Sequence, residues 1–273
     1  MAEQKNLPVS ADATTGEFLQ KFGQTLKEYA VRDYNQTAFL RSAMIAIADN
    51  HTLAECLKTD AGKKSLFNVL RYAAATGLSL NPQEGKAAII GYKNKAGETV
   101  LSYQIMKNGM LDIALESGKV EFITADLVRE NDKFSIRKSA SGDDYDYQPA
   151  IRDRGAVIGF IAALKLRGGP TYVKWMTVEE VCEFRDKYSS MYKFQKDNSA
   201  WEKSFNGMGV KTVLKALLRN ISISDALDNA IGTDDFFEAD FQTKQTPGVS
   251  ADAVSEKLDE KKPATKSEPE SLL

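Results

Sequence analysis

The sequence predicts an α+β fold: N-terminal helices, a central block of antiparallel β-hairpins, C-terminal helices and a disordered tail. Three observations carry this reading. Apolar residues recur at helical spacing as far as Thr76, and short β-rich runs punctuated by Gly and Asn-Pro fill the middle of the chain. Helical spacing then resumes after Met176.

The first dozen residues are small and polar. A helix signal begins near Thr14 or Thr15, with Glu17 in its first turn and Phe18, Leu19, Phe22, Leu26 and Tyr29 at helical spacing. A second helix is expected from Gln36 to Asp49, with Phe39, Leu40, Ala43, Met44 and Ile47 on its inner face. A third is expected from Lys63 to Thr76, carrying Leu66, Val69, Leu70 and Ala73, with Gly77 as its stop. Strand-like runs then surround a turn at Lys93 to Gly97, which predicts a hairpin of Lys86–Tyr92 against Glu98–Ile105. A short helix from Lys107 to Ser117 ends at Gly118. Strands are expected at Val120–Arg129, Lys133–Lys138, Asp144–Pro149, Gly155–Leu166 and Thr171–Met176. Ser139–Asp143 reads as a hairpin tip and Gly168-Gly169-Pro170 as a turn. Thr177 opens a helix with Glu179 and Glu180 in its first turn, which suits the helix dipole. A long helix over Ser199–Arg219 and a short one over Ser224–Ile231 complete the ordered part. Beyond Glu238 few large apolar residues remain, too few to offset the entropy of ordering, so this segment is expected to be a disordered tail. The expected units are residues 1–33 as an arm and oligomer contact, 34–237 as the core, and 238–273 as the tail. No internal repeat is visible.

Composition narrows the function classes. The chain has 273 residues, 42% hydrophobic and 27% charged, with a formal net charge of -2, ordinary values for a globular protein. That balance argues against a protein coated in positive charge, yet a local basic groove matters more than the sum. Two cysteines, Cys56 and Cys182, stand far apart, which fits a reducing compartment. No apolar run approaches the roughly 20 residues of a membrane span, and the first residues lack the basic and apolar regions of a signal peptide. The expectation is a cytoplasmic protein. No glycine stands among Leu57 to Ala61 ahead of Gly62-Lys63-Lys64-Ser65, so the phosphate loop of an ATPase is missing. The one histidine, His51, leaves little material for His-based metal sites or nucleophilic pairs. Asp143, Asp144 and Asp146 crowd the predicted hairpin tip. Nuclease carboxylates converge from rigid elements in a cleft, so a solvated turn is the preferred reading.

Candidate binding residues fall in four segments. On the last long helix Lys211, Lys215 and Arg219 recur every four residues, about 6 Å apart along the axis, while Val213, Leu214, Leu217, Leu218 and Ile221 supply apolar faces. Such a row either tracks a phosphate backbone or is a solvated basic face. The hairpin segment interleaves Lys86, Tyr92, Lys93, Lys95, Tyr103 and Lys107; the rings either stack bases or pack the hairpin core. Lys64, Asn68 and Arg71 share a polar helix face. Arg185, Lys187, Tyr188, Tyr192, Lys193, Phe194 and Lys196 also mix cations with aromatics, as a DNA contact, a mobile loop or a subunit contact.

Several blocks, in order, resemble the RecT family. GLSLNPQEGKAAIIGYKN resembles the signature in which Gly-Leu-x-Leu-Asn-Pro precedes the first central hairpin. SYQIMKNGMLDIALESGKVEFITADLVRENDKF resembles the next block, with Gln104, Lys107, Gly109, Ser117-Gly118, Val128 and Asp132. Met106 and Asn108 depart from the family's Gly-Tyr-Lys-Gly. GAVIGFIAALKLRGG and YVKWMTVEEV resemble the following strands and helix start, and Trp201, Met208, Lys211 and Thr212 the closing helix. The resemblance covers Tyr34 to Asp235. It implies a phage or prophage single-strand annealing protein that forms rings, arcs or helical filaments on DNA. Its ligands would be single-stranded DNA and the annealed duplex intermediate, with no cofactor and no bond chemistry. A 5′-to-3′ exonuclease and the host single-strand binding protein are the implied partners, met through Glu238–Leu273. On this reading Arg71, Lys86, Lys107, Lys211, Lys215 and Arg219 hold phosphates, with Lys93 and Gln104 beside them and Tyr92 and Tyr103 as stacking candidates. A passive single-strand coating protein and a Mg-dependent nuclease are the alternatives.

Overall fold

In a computed structural model of the chain, the described residues are 25–234 except 27, 31–34, 49, 95, 195 and 233. Most of the helix expected from Thr14 to Tyr29, the tail beyond Glu238 and the candidate Lys95 lie outside the described residues.

The N-terminal part gathers two helices and a hairpin round one core. Helix α1 spans Gln36–Ala48 and buries Phe39, Ala43, Ala46 and Ile47. Helix α2 spans Asp60–Thr76, starting three residues before the expected Lys63. The reason is Thr59, whose hydroxyl caps the helix by accepting from the Gly62 amide. Gly77 ends it in the left-handed region, at φ 69°. Strands β1 (Ala87–Lys93) and β2 (Thr99–Ile105) pair antiparallel in the expected hairpin, and β2 lies on α2. A side chain at position 62 would overlap the Cys56 carbonyl, so only glycine allows this approach.

The Gly-Leu-x-Leu-Asn-Pro run joins these pieces. Leu78 and Leu80 are buried, and the Leu80 amide donates to Ser42 Oγ on α1. Asn81 caps the turn Pro82–Glu84 by accepting from the Gln83 amide at 3.1 Å. The chain then enters β1, where the Lys86 carbonyl accepts from the Met106 amide ahead of helix α3 (Lys107–Glu116). A methyl group at Gly109 would strike that same Lys86 carbonyl.

The second half is a layered sandwich. Strands β3 (Val120–Arg129), β6 (Val157–Leu166) and β7 (Thr171–Thr177) form an antiparallel sheet in the order β3-β6-β7. Strands β4 (Lys133–Arg137) and β5 (Asp144–Gln148) form a separate hairpin. Central β6 is covered on both faces, which explains its nearly continuous apolar run. Phe160, Ala162 and Leu164 join the main core, alongside Ile123 and Ala125 of β3. On the other face Ile161 and Ala163 meet Phe134, Ile136, Tyr145 and Tyr147 of the β4–β5 hairpin.

Helix α4 spans Val178–Tyr188 and opens with a reciprocal capping box between Thr177 and Glu180. Helix α5 spans Phe205–Leu218 and crosses the β3-β6-β7 sheet. The continuous helix expected over Ser199–Arg219 is interrupted. Ser204 leaves helical geometry at φ -153° and ψ 64°, which separates the turn Ala200–Lys203 from α5. Serine competes for its own backbone groups and is a weak interior helix residue. A last helix, residues 225–232, follows. Among the described residues no helix is long and apolar enough to cross a membrane.

Asp132 ties the hairpin to the sheet. Its buried carboxylate accepts two hydrogen bonds from Arg154, at 2.9 and 2.7 Å, and others from the Ala150 and Arg129 amides. The Arg154 bonds, against burial and helped by these amides, hold the carboxyl well below the usual carboxylate range. A depressed folded-state pKa stabilises above the unfolded value near 4 and loses that contribution as pH falls through the folded value. The stability gap between the native chain and Asp132→Asn should therefore narrow below about pH 4, as read from urea midpoints at pH 7 and pH 3. Gly209→Ala should cost about 1–3 kcal/mol by overpacking against the Phe160 ring, measured by chemical denaturation.

Candidate nucleic-acid interface

Helices α4 and α5 and the turns between them enclose a small cleft of about 30 Å³. Phe184, Tyr188, Trp201 and Met208 supply its aromatic and apolar wall, and Lys211, Lys215 and Arg219 its cations. The capping box fixes the start of α4, so its last turn presents Phe184 and Tyr188 together, with ring centroids 4.8 Å apart. Trp201 is buried and packs on Phe205, whose ring lies 6.0 Å from Phe160 of the sheet.

The row Lys211, Lys215, Arg219 is not a solvated stripe. Lys211 and Lys215 are each only 5% exposed. The Lys211 ammonium lies 3.2 Å from Asp234 Oδ1 and that of Lys215 2.5 Å from Asp234 Oδ2. Burial alone would raise the Asp234 carboxyl, but the two ammonium groups outweigh it and hold the carboxyl below its ordinary value. Of the three cations only Arg219 is exposed, at the end of α5. Local sequence reasoning missed Asp234, because it stands 19 and 23 residues from its partners. The usable signal was an acid just past a short apolar helix.

Cations and rings are stacked beside the cleft. The Arg185 guanidinium lies 4.1 Å from the Tyr192 ring centroid, and Lys196 lies 5.5 Å from the same ring. Lys187 lies 5.1 Å from the Tyr188 ring. Lys193 donates to the Lys187 carbonyl, closing this segment on itself. Lys187, Tyr188, Lys193 and Lys196 are exposed. Such pairs leave ring edges and charged heads at the surface together, the pairing that single-stranded nucleic acid uses.

The hairpin candidates divide differently. Tyr103 is fully buried, with its hydroxyl 2.9 Å from Thr76 Oγ1, and burial raises its phenol well above the ordinary range. Tyr92 is 7% exposed and packs with Val100. Neither ring is available for stacking, because the hairpin needs both to seat itself on α2 and its surroundings. Lys93 is exposed but bound to Glu55 at 3.1 Å. Lys86 pairs with Asp112 at 2.8 Å, which raises its ammonium. Gln104 is half-buried on β2, opposite Ala88, and Lys107 is half-buried at the first turn of α3. Lys86, Gln104 and Lys107 thus stand on the chain segments where the hairpin joins α3, while Lys211, Lys215 and Arg219 line the cleft. Arg71 of α2 lies over the Tyr29 and Tyr72 rings, at 5.5 and 4.9 Å.

The acidic hairpin tip is a clamp. Asp143 pairs with Lys138 and accepts from the Val173 amide at 2.7 Å, and Asp144 pairs with Arg137. The Asp143 bond to Val173 docks the tip on β7, and the Arg137–Asp144 pair ties the two hairpin strands together.

Two known proteins and one family model are similar to this chain. An uncharacterized protein of Bacillus subtilis (strain 168), YqaK, is 23% identical over 269 residues, covering 98% of this chain and 87% of its own length. Protein RecT of Escherichia coli (strain K12) is 24% identical over 174 residues, covering 63% of this chain and 62% of its own length. The RecT family model matches residues 37–247, well over half of the sequence, and this chain therefore belongs to the RecT family of DNA-recombination, single-strand annealing proteins.

Proposed function

We propose that this chain binds single-stranded DNA and anneals it to a complementary strand without ATP, working as an oligomer. The observation that carries the reading is the cleft between α4 and α5. It joins exposed Arg219 to aromatic walls, beside a segment in which Arg185, Lys187 and Lys196 lie over tyrosine rings.

Annealing makes and breaks no covalent bond. Two complementary strands repel through their phosphates, and cations that neutralise one strand lower that repulsion and release its counterions. A surface that grips phosphates and stacks some bases leaves other base edges free for a second strand. Pairing then supplies about 1–2 kcal/mol per stacked step, so no nucleotide need be hydrolysed. Arg219 in the cleft and Lys187, Lys193 and Lys196 beside it are the phosphate contacts, with Tyr188, 43% exposed, as the stacking ring. Arg71, Lys86, Gln104 and Lys107 form the second contact, toward the hairpin. Head-to-tail contacts between copies would join such surfaces into a ring or filament, since contacts that do not close generate helices. The arm, residues 1–33, serves that assembly. The segment 238–273 serves partners, an exonuclease and a host single-strand binding protein, in the cytoplasm of the bacterial cell.

Two measurements test this reading. Labelled complementary oligonucleotides should pair faster with the protein than without it, in the absence of nucleotide; binding with slowed pairing would identify a passive coating protein instead. Replacing Lys187 and Lys196 together by Ala should weaken binding alike on all sequences and flatten the slope of log affinity against log salt by about 1.4, from roughly 0.7 per lost contact. Tyr188→Ala should cost about 1–3 kcal/mol of binding through lost stacking, with the salt slope unchanged. Unaltered affinity in both variants places the strand elsewhere.

A further inference from the structure

Two ammonium groups one helical turn apart share a single carboxylate at the floor of the cleft. Lys211 and Lys215 line the cleft, and both reach Asp234, whose side chain has no exposure. The described residues lining the cleft include three cations and no acid. Asp234 is delivered from outside that lining by the helix at 225–232, anchored in the core through Leu227, Ala230 and Ile231.

Stability alone is a weak reason for this arrangement. Taking a carboxylate and two ammonium groups out of water costs several kcal/mol per ion. Well-packed apolar residues of similar volume stabilise a core as well or better. The arrangement does suit an anion site. Two oxygens on one centre bridge two ammonium groups, as two oxygens of a backbone phosphate would, and an arginine and aromatic rings stand beside them.

We propose that Asp234 is a built-in competitor that occupies a phosphate seat formed by Lys211 and Lys215, and that a phosphate of single-stranded DNA displaces it. This rests on the proposed function and adds the regulation of that site. Asp234 lowers the apparent affinity by the fraction of molecules in which the seat is open. An aspartate reaches through one methylene only, so its buried carboxylate leaves the seat when the end of the helix at 225–232 lifts, not by swinging alone.

The test uses the full chain, an oligo-dT probe and the variant Asp234→Asn. If the open state is populated at about a tenth, the variant should bind roughly tenfold more tightly. Its salt slope should stay that of the native chain, because the same two phosphate contacts form in both complexes. Unchanged affinity in a folded variant overturns the latch. Amide hydrogen exchange on the native chain provides the readout if the variant fails to fold. Exchange at residues 230–234 should rise when oligo-dT is added, and unchanged or slower exchange there overturns the proposal. If the native chain binds no oligo-dT at any salt concentration, the proposed function falls and the latch with it. Binding without the variant's gain and without faster exchange removes the latch alone.

Discussion

The contact between Gly209 and Phe160 sets the geometry of the second half of the molecule. Phe160 is fully buried on central strand β6, and its ring occupies the space where any larger residue at 209 would put its β-carbon. Helix α5 can therefore lie close on the sheet. Val213, Leu214, Leu217 and Leu218 are then buried, each large apolar side chain contributing about 1.5–3 kcal/mol. The remaining face of α5 is turned toward α4, and Lys211, Lys215 and Arg219 meet the aromatic wall there because the helix is held at that distance. A missing side chain on one side of the helix thus decides where three cations stand on the other.

Close approach of backbone to neighbour recurs at the joints. Gly62 lets α2 meet the Cys56 carbonyl, and Gly109 lets α3 meet the carbonyl of Lys86. The family signature around Asn81 and Pro82 is in this chain a structural joint: a left-handed helix stop, two buried leucines, an asparagine cap and a strand entrance. It fixes where the hairpin and α3 meet, at the hydrogen bond from the Met106 amide to the Lys86 carbonyl.

Much of this fold is legible in the sequence because its signals are local. The alternation of Phe134, Ile136, Tyr145 and Tyr147 reads directly as a one-sided hairpin, and Thr177 with Glu180 reads directly as a helix start. Apolar spacing runs unbroken through Ser204 and only one backbone conformation departs, so periodicity predicts one helix where the chain forms two. The site was less legible. Periodicity shows that Lys211, Lys215 and Arg219 share a face but not whether water or protein covers it, and Asp234, which answers that, is remote in sequence. Tyr92 and Tyr103 look alike as strand tyrosines with a base to stack on; their burial depends on α2 and the elements around it, which no hairpin pattern reveals. The cation–ring pairs of the interleaved stretch from Arg185 to Lys196 are legible, because they span only a few residues, but the sequence leaves open whether that stretch is a DNA contact, a loop or a subunit contact.

The two tryptophans stand in different parts of this architecture. Trp175 lies beneath the β4–β5 hairpin, its ring 4.5 Å from Phe134, whereas Trp201 forms part of the wall between α4 and α5. Indole emission responds to local polarity and to nearby quenchers. A strand bound over the cleft would thus perturb the fluorescence of Trp201, while Trp175 reports the docking of the hairpin. Substituting either one by phenylalanine leaves a chain with a single indole, excited selectively at the red edge of its absorption, so binding at the cleft and integrity of the sandwich can be followed separately without an attached dye.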